Sequence, residues 1–428
     1  MREMRHEQLE ISVYHEQLAN GLNVYVIPRV GFQQTYAMFS TQYGSIDREF
    51  IVPGDERSTV VPDGIAHFLE HKMFEQEDGE DVFNTFARYG ASANAFTSFD
   101  MTAYLFSCTD NVSENLNTLL DFVQAPYFTE QTVEKEKGII GQEIRMYDDD
   151  PGWRVYFNLL ASMYEKHPIN IDIAGTVETI AHITKDSLYT CYNTFYHPSN
   201  MNLVLVGDVD TEQMMALVRD NQAAKDFTRQ PKIERIFPEE SAQVARKRFE
   251  QHMTVSIPKV QFGYKDQSTG LSGRELLVNE YTTAVGLEAV IGKSSPLFNR
   301  LYEAVLIDKN FGWSYDVGLN FAHSIFGGDS KDPERLLHEI QQGFAEVLQN
   351  GIPEADFKRA QAKLIGRSVA ELDSPRGICR NFCGYQFKDA DYFDVLPVLE
   401  AITLEDVNQR LREHLVPDTL AVSLVLPK

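Results

Sequence analysis

The chain has 428 residues, 43% of them hydrophobic and 24% charged, with a formal net charge of −24. This composition excludes a disordered chain, and the length exceeds what one hydrophobic core organises, so two domains of roughly 200 residues each are expected. The acidic balance argues against nucleic acid and against a polybasic membrane patch, and no apolar run approaches the ~20 residues of a membrane helix.

The amino terminus, MREMRHEQLEISVYHEQ, is charged throughout and has no signal-peptide core, from which a cytoplasmic location is expected. GLNVYVIP and YAMFSTQYGSID then read as strands, rich in β-branched and aromatic residues. A short apolar segment at 64–75, GIAHFLEHKMFE, reads as a helix. GASANAFTSFDMTAYLF follows. Residues 128–151, FTEQTVEKEKGIIGQEIRMYDDDP, form a helix ended by proline. Residues 183–206 begin with Ile-Thr before an amphipathic helix, then pass through a proline into a strand.

The second half repeats this order. Residues 402–425, ITLEDVNQRLREHLVPDTLAVSLV, match 183–206 with equal spacing to the proline, and 352–375, IPEADFKRAQAKLIGRSVAELDSP, match 128–151 in the same way. GWSYDVGLNFAHSIFGG pairs more loosely with GASANAFTSFDMTAYLF. The expected fold is therefore α+β: two homologous α/β-sandwich domains, each an antiparallel or mixed sheet with helices on one face. We place the first domain at 1–225, a polar linker at 226–250, and the second domain at 251–428. Cys379 and Cys383 fall in a predicted helix as buried thiols. No further Cys or His pair accompanies them to make a zinc knuckle, and a reducing compartment is expected.

The chemistry gathers in HFLEH. Positions i, i+3 and i+4 share a helix face, so His67 and His71 can aim imidazoles at one point with Glu70 beside them. Two neutral imidazoles suit zinc, and a carboxylate beside an acidified water can take its proton. Solvated side chains on a helix face are the plain alternative. However, Ile65, Ala66, Phe68, Leu69, Met73 and Phe74 flank the string, and an unpartnered glutamate among them would be costly. A third ligand is available in Glu136 or Glu143, two turns apart on one helix face. The matching second-half positions are Ala360 and Arg367, so the repeat kept the helix and not its carboxylates.

With HFLEH, EKEKGIIGQE and GASANAFTSFDMTAYLF in place, the chain resembles the pitrilysin/insulinase family of zinc peptidases, whose signature is this inverted motif. NGLNVYVIP and HPSNMNLVLVGDV also fit, and the length suits the short branch whose chains form two-domain subunits. The resemblance implies that His67, His71 and Glu143 bind one Zn2+ per chain, that Glu70 is the catalytic base, and that Glu136 orients a ligand. It implies too that Ala93, Asn94, Ala95 and Phe96 form an edge to which a peptide substrate adds as a strand.

The family's second domain carries an Arg and a Tyr seven residues apart that steady the oxyanion. Tyr315 fits the tyrosine, but the arginine position falls near Leu306 to Asp308 and Arg300 is offset. The resemblance therefore implies a two-subunit clamp, either a homodimer or a heterodimer with a zinc-less relative that supplies the pair. The expected function is zinc-dependent endopeptidase action on short or unfolded peptides. The alternative is an inactive peptide-binding or assembly subunit of the same fold.

Overall fold

MNLVLVG at 201–207 is apolar at nearly every position, as a strand covered on both faces must be. In the computed structural model, which describes residues 1–77, 79 and 81–428, all seven of these residues are buried. The first-half strands are β1 (Arg2–His6), β2 (Ile11–Gln17), β3 (Asn23–Pro28), β4 (Thr35–Thr41), β5 (Glu49–Ile51), β6 (Ser58–Val60), β7 (Ser92–Thr97), β8 (Thr102–Cys108) and β9 (Met201–Gly207). Then come β10 (Glu234–Arg235), β11 (Arg248–Met253), β12 (Lys259–Lys265), β13 (Gly312–Val317), β14 (Ala322–Asp329) and β15 (Leu420–Pro427).

Seven strands form one sheet in the order β1-β2-β3-β9-β4-β8-β7, and five form another in the order β11-β15-β12-β14-β13. β3 runs parallel to β9, whereas β9–β4, β4–β8 and β8–β7 are antiparallel. The second sheet repeats this: β11–β15 is parallel and β15–β12, β12–β14 and β14–β13 are antiparallel. Even the closing hairpins agree. Thr97 pairs with Thr102, and Val317 pairs with Ala322, across turns of equal length. The duplicated α+β unit expected from sequence is thus the architecture, with β1 and β2 added to the first copy.

Two compact units divide the chain, and neither is continuous in sequence. The first comprises 1–144, 172–237 and 371–387; the second comprises 145–171, 238–370 and 388–428. The helix Pro375–Gln386 accordingly packs on β4 and β9 in the first unit, and the helix Pro151–Met163 packs on β12 and β15 in the second. The expected linker at 226–250 spans the crossing between the units at 237/238, but it does not capture this exchange of helices. Cys379 and Cys383 ride on the first of these helices, fully buried. Cys383 Sγ lies 3.1 Å from Ser40 Oγ, and burial pushes its thiol up to about 12, so the pair is packing rather than a metal knuckle. No helix among the described residues is long and apolar enough to cross a membrane.

The polar segment after β10 is tied down through one carboxylate. Glu240 accepts from the backbone N–H groups of Glu165, Lys166 and His167 at 3.0, 2.7 and 2.7 Å, and from the buried Lys265 ammonium at 2.6 Å. Burial opposes its charge, yet Lys265 and the three amides outweigh burial and hold the carboxyl at about 2, below its ordinary 4.5. Because the folded value is the lower one, the stabilisation is full above about pH 4.5 and disappears as pH falls toward 2. Glu240→Gln is expected to cost on the order of 2 kcal/mol at pH 7, after discounting for partial solvent screening. Urea midpoints for the two proteins should converge between pH 4.5 and 2; a gap that persists unchanged would assign the effect to packing instead.

Candidate metal centre

Gly64 turns the chain into the motif helix, Ile65–Lys72, with φ 88°, and a Cβ there would lie 2.4 Å from the Ala174 carbonyl oxygen. Only glycine fits both demands. Ile65, Ala66, Phe68 and Leu69 are buried and seat this helix, while Lys72, also buried, ion-pairs with Glu75. The remaining face carries His67 and His71 one turn apart, their ring centroids 4.6 Å from each other. Across from them runs the helix Glu130–Asp149. Its Val133, Ile140 and Ile144 form the buried stripe, and Glu136 and Glu143 each stand three residues on from a stripe position, flanking it.

Ligand atoms from His67, His71 and Glu143 all lie within 4.8 Å of one another, the one such metal-competent group among the described residues. His67 Nε2 is 3.8 Å from Glu143 Oε1, and His71 Nε2 is 3.6 Å from Glu143 Oε2. These separations are too long for hydrogen bonds. They fit donors held around a common ion, since tetrahedral zinc with ~2.1 Å bonds spaces its ligands about 3.4 Å apart. Glu136 Oε1 meets the other nitrogen, His71 Nδ1, at 3.0 Å. With the proton on Nδ1 donated to Glu136, the Nε2 lone pair faces the cluster.

The electrostatics suit the same use. Burial, then the neighbouring His71, hold the His67 imidazole down to about 4, so it is neutral with a lone pair to give. Burial also opposes charge on His71, but the hydrogen bond it makes to Glu136 and the charges of Glu70 and Glu143 outweigh burial and raise that imidazole. Glu70 is 8% exposed, and burial raises its carboxyl while a 2.5 Å hydrogen bond donated by Thr97 Oγ1 restrains the rise. Thr97, which lies in the GASANAFTSFDMTAYLF stretch but received no role from the sequence, is thus the residue that holds the Glu70 carboxylate.

Ala93, Asn94, Ala95 and Phe96 lie in β7, the terminal strand of the seven-stranded sheet, and the motif helix packs on this strand. The Ala95 N–H donates to Asn94 Oδ1 at 2.9 Å, so a side chain covers part of the edge that a partner strand would use. Tyr315 belongs to the second unit, on β13. Its hydroxyl donates to Asp266 Oδ2 at 2.8 Å and accepts from Asn279 at 3.1 Å and from Arg410 Nη2 at 3.2 Å. Arg410 also pairs with Asp266 and donates to Thr283 at 2.8 Å. An arginine does accompany this tyrosine, but it comes from the helix Leu404–His414 rather than from the expected position near Leu306 to Asp308.

These features define a class: a duplicated α+β protein whose first unit carries an inverted His-x-x-Glu-His motif in a group that could hold a metal ion. The profile described as Insulinase (Peptidase family M16) matches residues 58–177, which contain the whole cluster, and that described as Peptidase M16 inactive domain matches 182–364. The chain is 50% identical over 430 residues, the full length of both proteins, to the uncharacterized zinc protease YmfH of Bacillus subtilis. It is 26% identical to the uncharacterized zinc protease YmxG of the same species, covering 88% of this chain and 92% of that one. A crystal structure of an M16-like peptidase from Alicyclobacillus acidocaldarius superposes with a TM-score of 0.95 at 44% identity, covering 98% of this chain and 99% of that one. The chain belongs to the insulinase (M16) family of peptidases.

Proposed function

We propose that the protein is a zinc-dependent endopeptidase acting on short or unfolded peptides, with His67, His71 and Glu143 as the ligands of one zinc ion. The observation that carries this reading is the convergence of those three donors with the buried Glu70 carboxylate beside them. When bound, the zinc would supply Lewis acidity toward a peptide carbonyl and toward water. The chain's own residues do the rest. A peptide pairs with the β7 edge at Ala93–Phe96, displacing the Asn94 side chain from the Ala95 N–H. Glu70, aimed by Thr97, takes the proton of the attacking water and returns it to the leaving amine. Glu136 keeps the His71 proton on Nδ1.

Tyr315 donates its single proton to Asp266, so serving as an oxyanion donor would require it to exchange that bond for one to the substrate. We propose that the second subunit of a clamp, another copy of this chain or a zinc-less relative, provides that contact. The test is cleavage of a quenched unstructured peptide before and after chelation. Activity should fall to background without metal and return with one equivalent of zinc, and a size measurement of the active species should show a dimer. Undiminished cleavage by metal-free protein would overturn the reading. Bound zinc with no cleavage of any peptide would favour the binding-subunit alternative.

A further inference from the structure

The edge strand beside the metal cluster holds against one of its aromatic rings a cation that has no ion-pair partner among the described residues. Side chains alternate across β7, so Thr97 faces the motif helix through its bond to Glu70, and Phe96 and Asn94 face the other side of the sheet. On that side lies the helix Pro375–Gln386, and its exposed Arg380 places a guanidinium carbon 5.2 Å from the centre of the Phe96 ring. Such a cation–π contact fixes the direction of a long side chain without consuming its charge or its hydrogen-bond donors. Arg376, also exposed, stands one turn earlier.

Neither arginine has an ion-pair partner among the described residues. The omission stands out in a chain with a net charge of −24, where 63 acidic residues outnumber 39 basic ones. The helix gains nothing from them either. Arg376 lies in its first turn, where the unsatisfied N–H groups favour anions and disfavour cations, and Arg380 in the second turn is too far from the C-terminus to gain from the helix dipole. The cation–π contact itself contributes a little stability at an exposed site, and it leaves the charge and the hydrogen-bond donors of the guanidinium available beside the edge strand.

We propose that Arg380, held over Phe96, is a specificity residue that selects peptides carrying an Asp or Glu side chain on the Phe96 face of the added strand, with Arg376 reinforcing it. The inference rests on the reading of β7 as the substrate-accepting edge. A peptide strand paired with β7 sends alternate side chains to the two faces, so the preference falls on positions two residues apart and skips the position between them. A carboxylate there accepts from the free guanidinium N–H groups, while a lysine is repelled.

The test uses one peptide framework with Glu, Gln or Lys placed singly at each position around the cleaved bond. For the wild-type protein, kcat/KM should favour Glu over Lys by about fivefold or more at alternate positions only. Arg380→Ala should bring that ratio close to one, Arg380→Glu should invert it, and Arg380→Lys should keep part of it. Unchanged melting temperatures would confirm that the variants fold. Binding of the same fluorescent peptides to Glu70→Gln, with and without Arg380→Ala, reads the preference without turnover. If the wild-type protein cleaves these peptides but the Glu:Lys ratio is insensitive to Arg380, the proposal is wrong and the peptidase reading stands. If no peptide is cleaved or bound, the edge-strand reading fails and takes the proposal with it.

Discussion

Replacing Glu70 by Gln should leave zinc bound at one equivalent per chain and lower kcat for a quenched peptide by about a thousandfold, within the range lost when a general base is removed. The substitution is nearly isosteric, and the carbonyl of the introduced amide could still accept the hydrogen bond that Thr97 now donates to Glu70 Oε2. Packing around the buried side chain is therefore preserved, and the two imidazoles and Glu143 keep their places. What disappears is a site for the water proton. Burial raises the Glu70 carboxyl above its ordinary value, which strengthens it as a base, and an amide has no such capacity. Metal analysis alongside turnover separates the roles. Full zinc with undiminished cleavage would remove Glu70 from the reaction, whereas loss of both would mean that the variant had disturbed the ligands instead.

Much of this was legible because two independent periodicities agreed. The i, i+4 spacing of His67 and His71 and the two-turn spacing of Glu136 and Glu143 each specify a helix face, and apolar flanks specify which face is buried. The duplication added a control, since a helix that recurs with Ala360 and Arg367 in place of its carboxylates retains what packing needs. It also announced the paired sheets, because strands and prolines recurred at equal spacings. Three features were not legible, each for a physical reason. Thr97 is one of several threonines near the motif, and only the alternation of β7 together with its antiparallel register to β8 turns its hydroxyl toward Glu70. Arg410 lies ninety-five residues from Tyr315, so no local spacing could join them. The helices Pro151–Met163 and Pro375–Gln386 have ordinary amphipathic patterns, and a pattern gives the buried face of a helix without saying which sheet covers it.

His71→Ala should abolish both zinc binding and cleavage, and it tests the centre more severely than any other single change. The imidazole works in two directions: Nε2 faces Glu143 Oε2 at 3.6 Å, and Nδ1 holds Glu136 at 3.0 Å. Deleting it would remove a proposed ligand and also leave the Glu136 carboxylate without the hydrogen bond it now accepts from Nδ1. Glu136→Gln should be milder. It keeps an acceptor for Nδ1–H and weakens only the orientation and basicity of the ring, an outer effect that typically lowers metal affinity about 10–100-fold. Competition with a chromophoric chelator should therefore rank the proteins as wild type, then Glu136→Gln, then His71→Ala with no measurable site. Thermal melts should follow. A ligand that binds only the folded state stabilises it by about 2.7 kcal/mol at a hundred times its Kd, so added zinc should raise the melting temperature of the wild type and leave that of His71→Ala unmoved. If His71→Ala bound zinc as tightly as the wild type, the three donors would be neighbours without being ligands. The carboxylate beside them would then have no activated water to deprotonate.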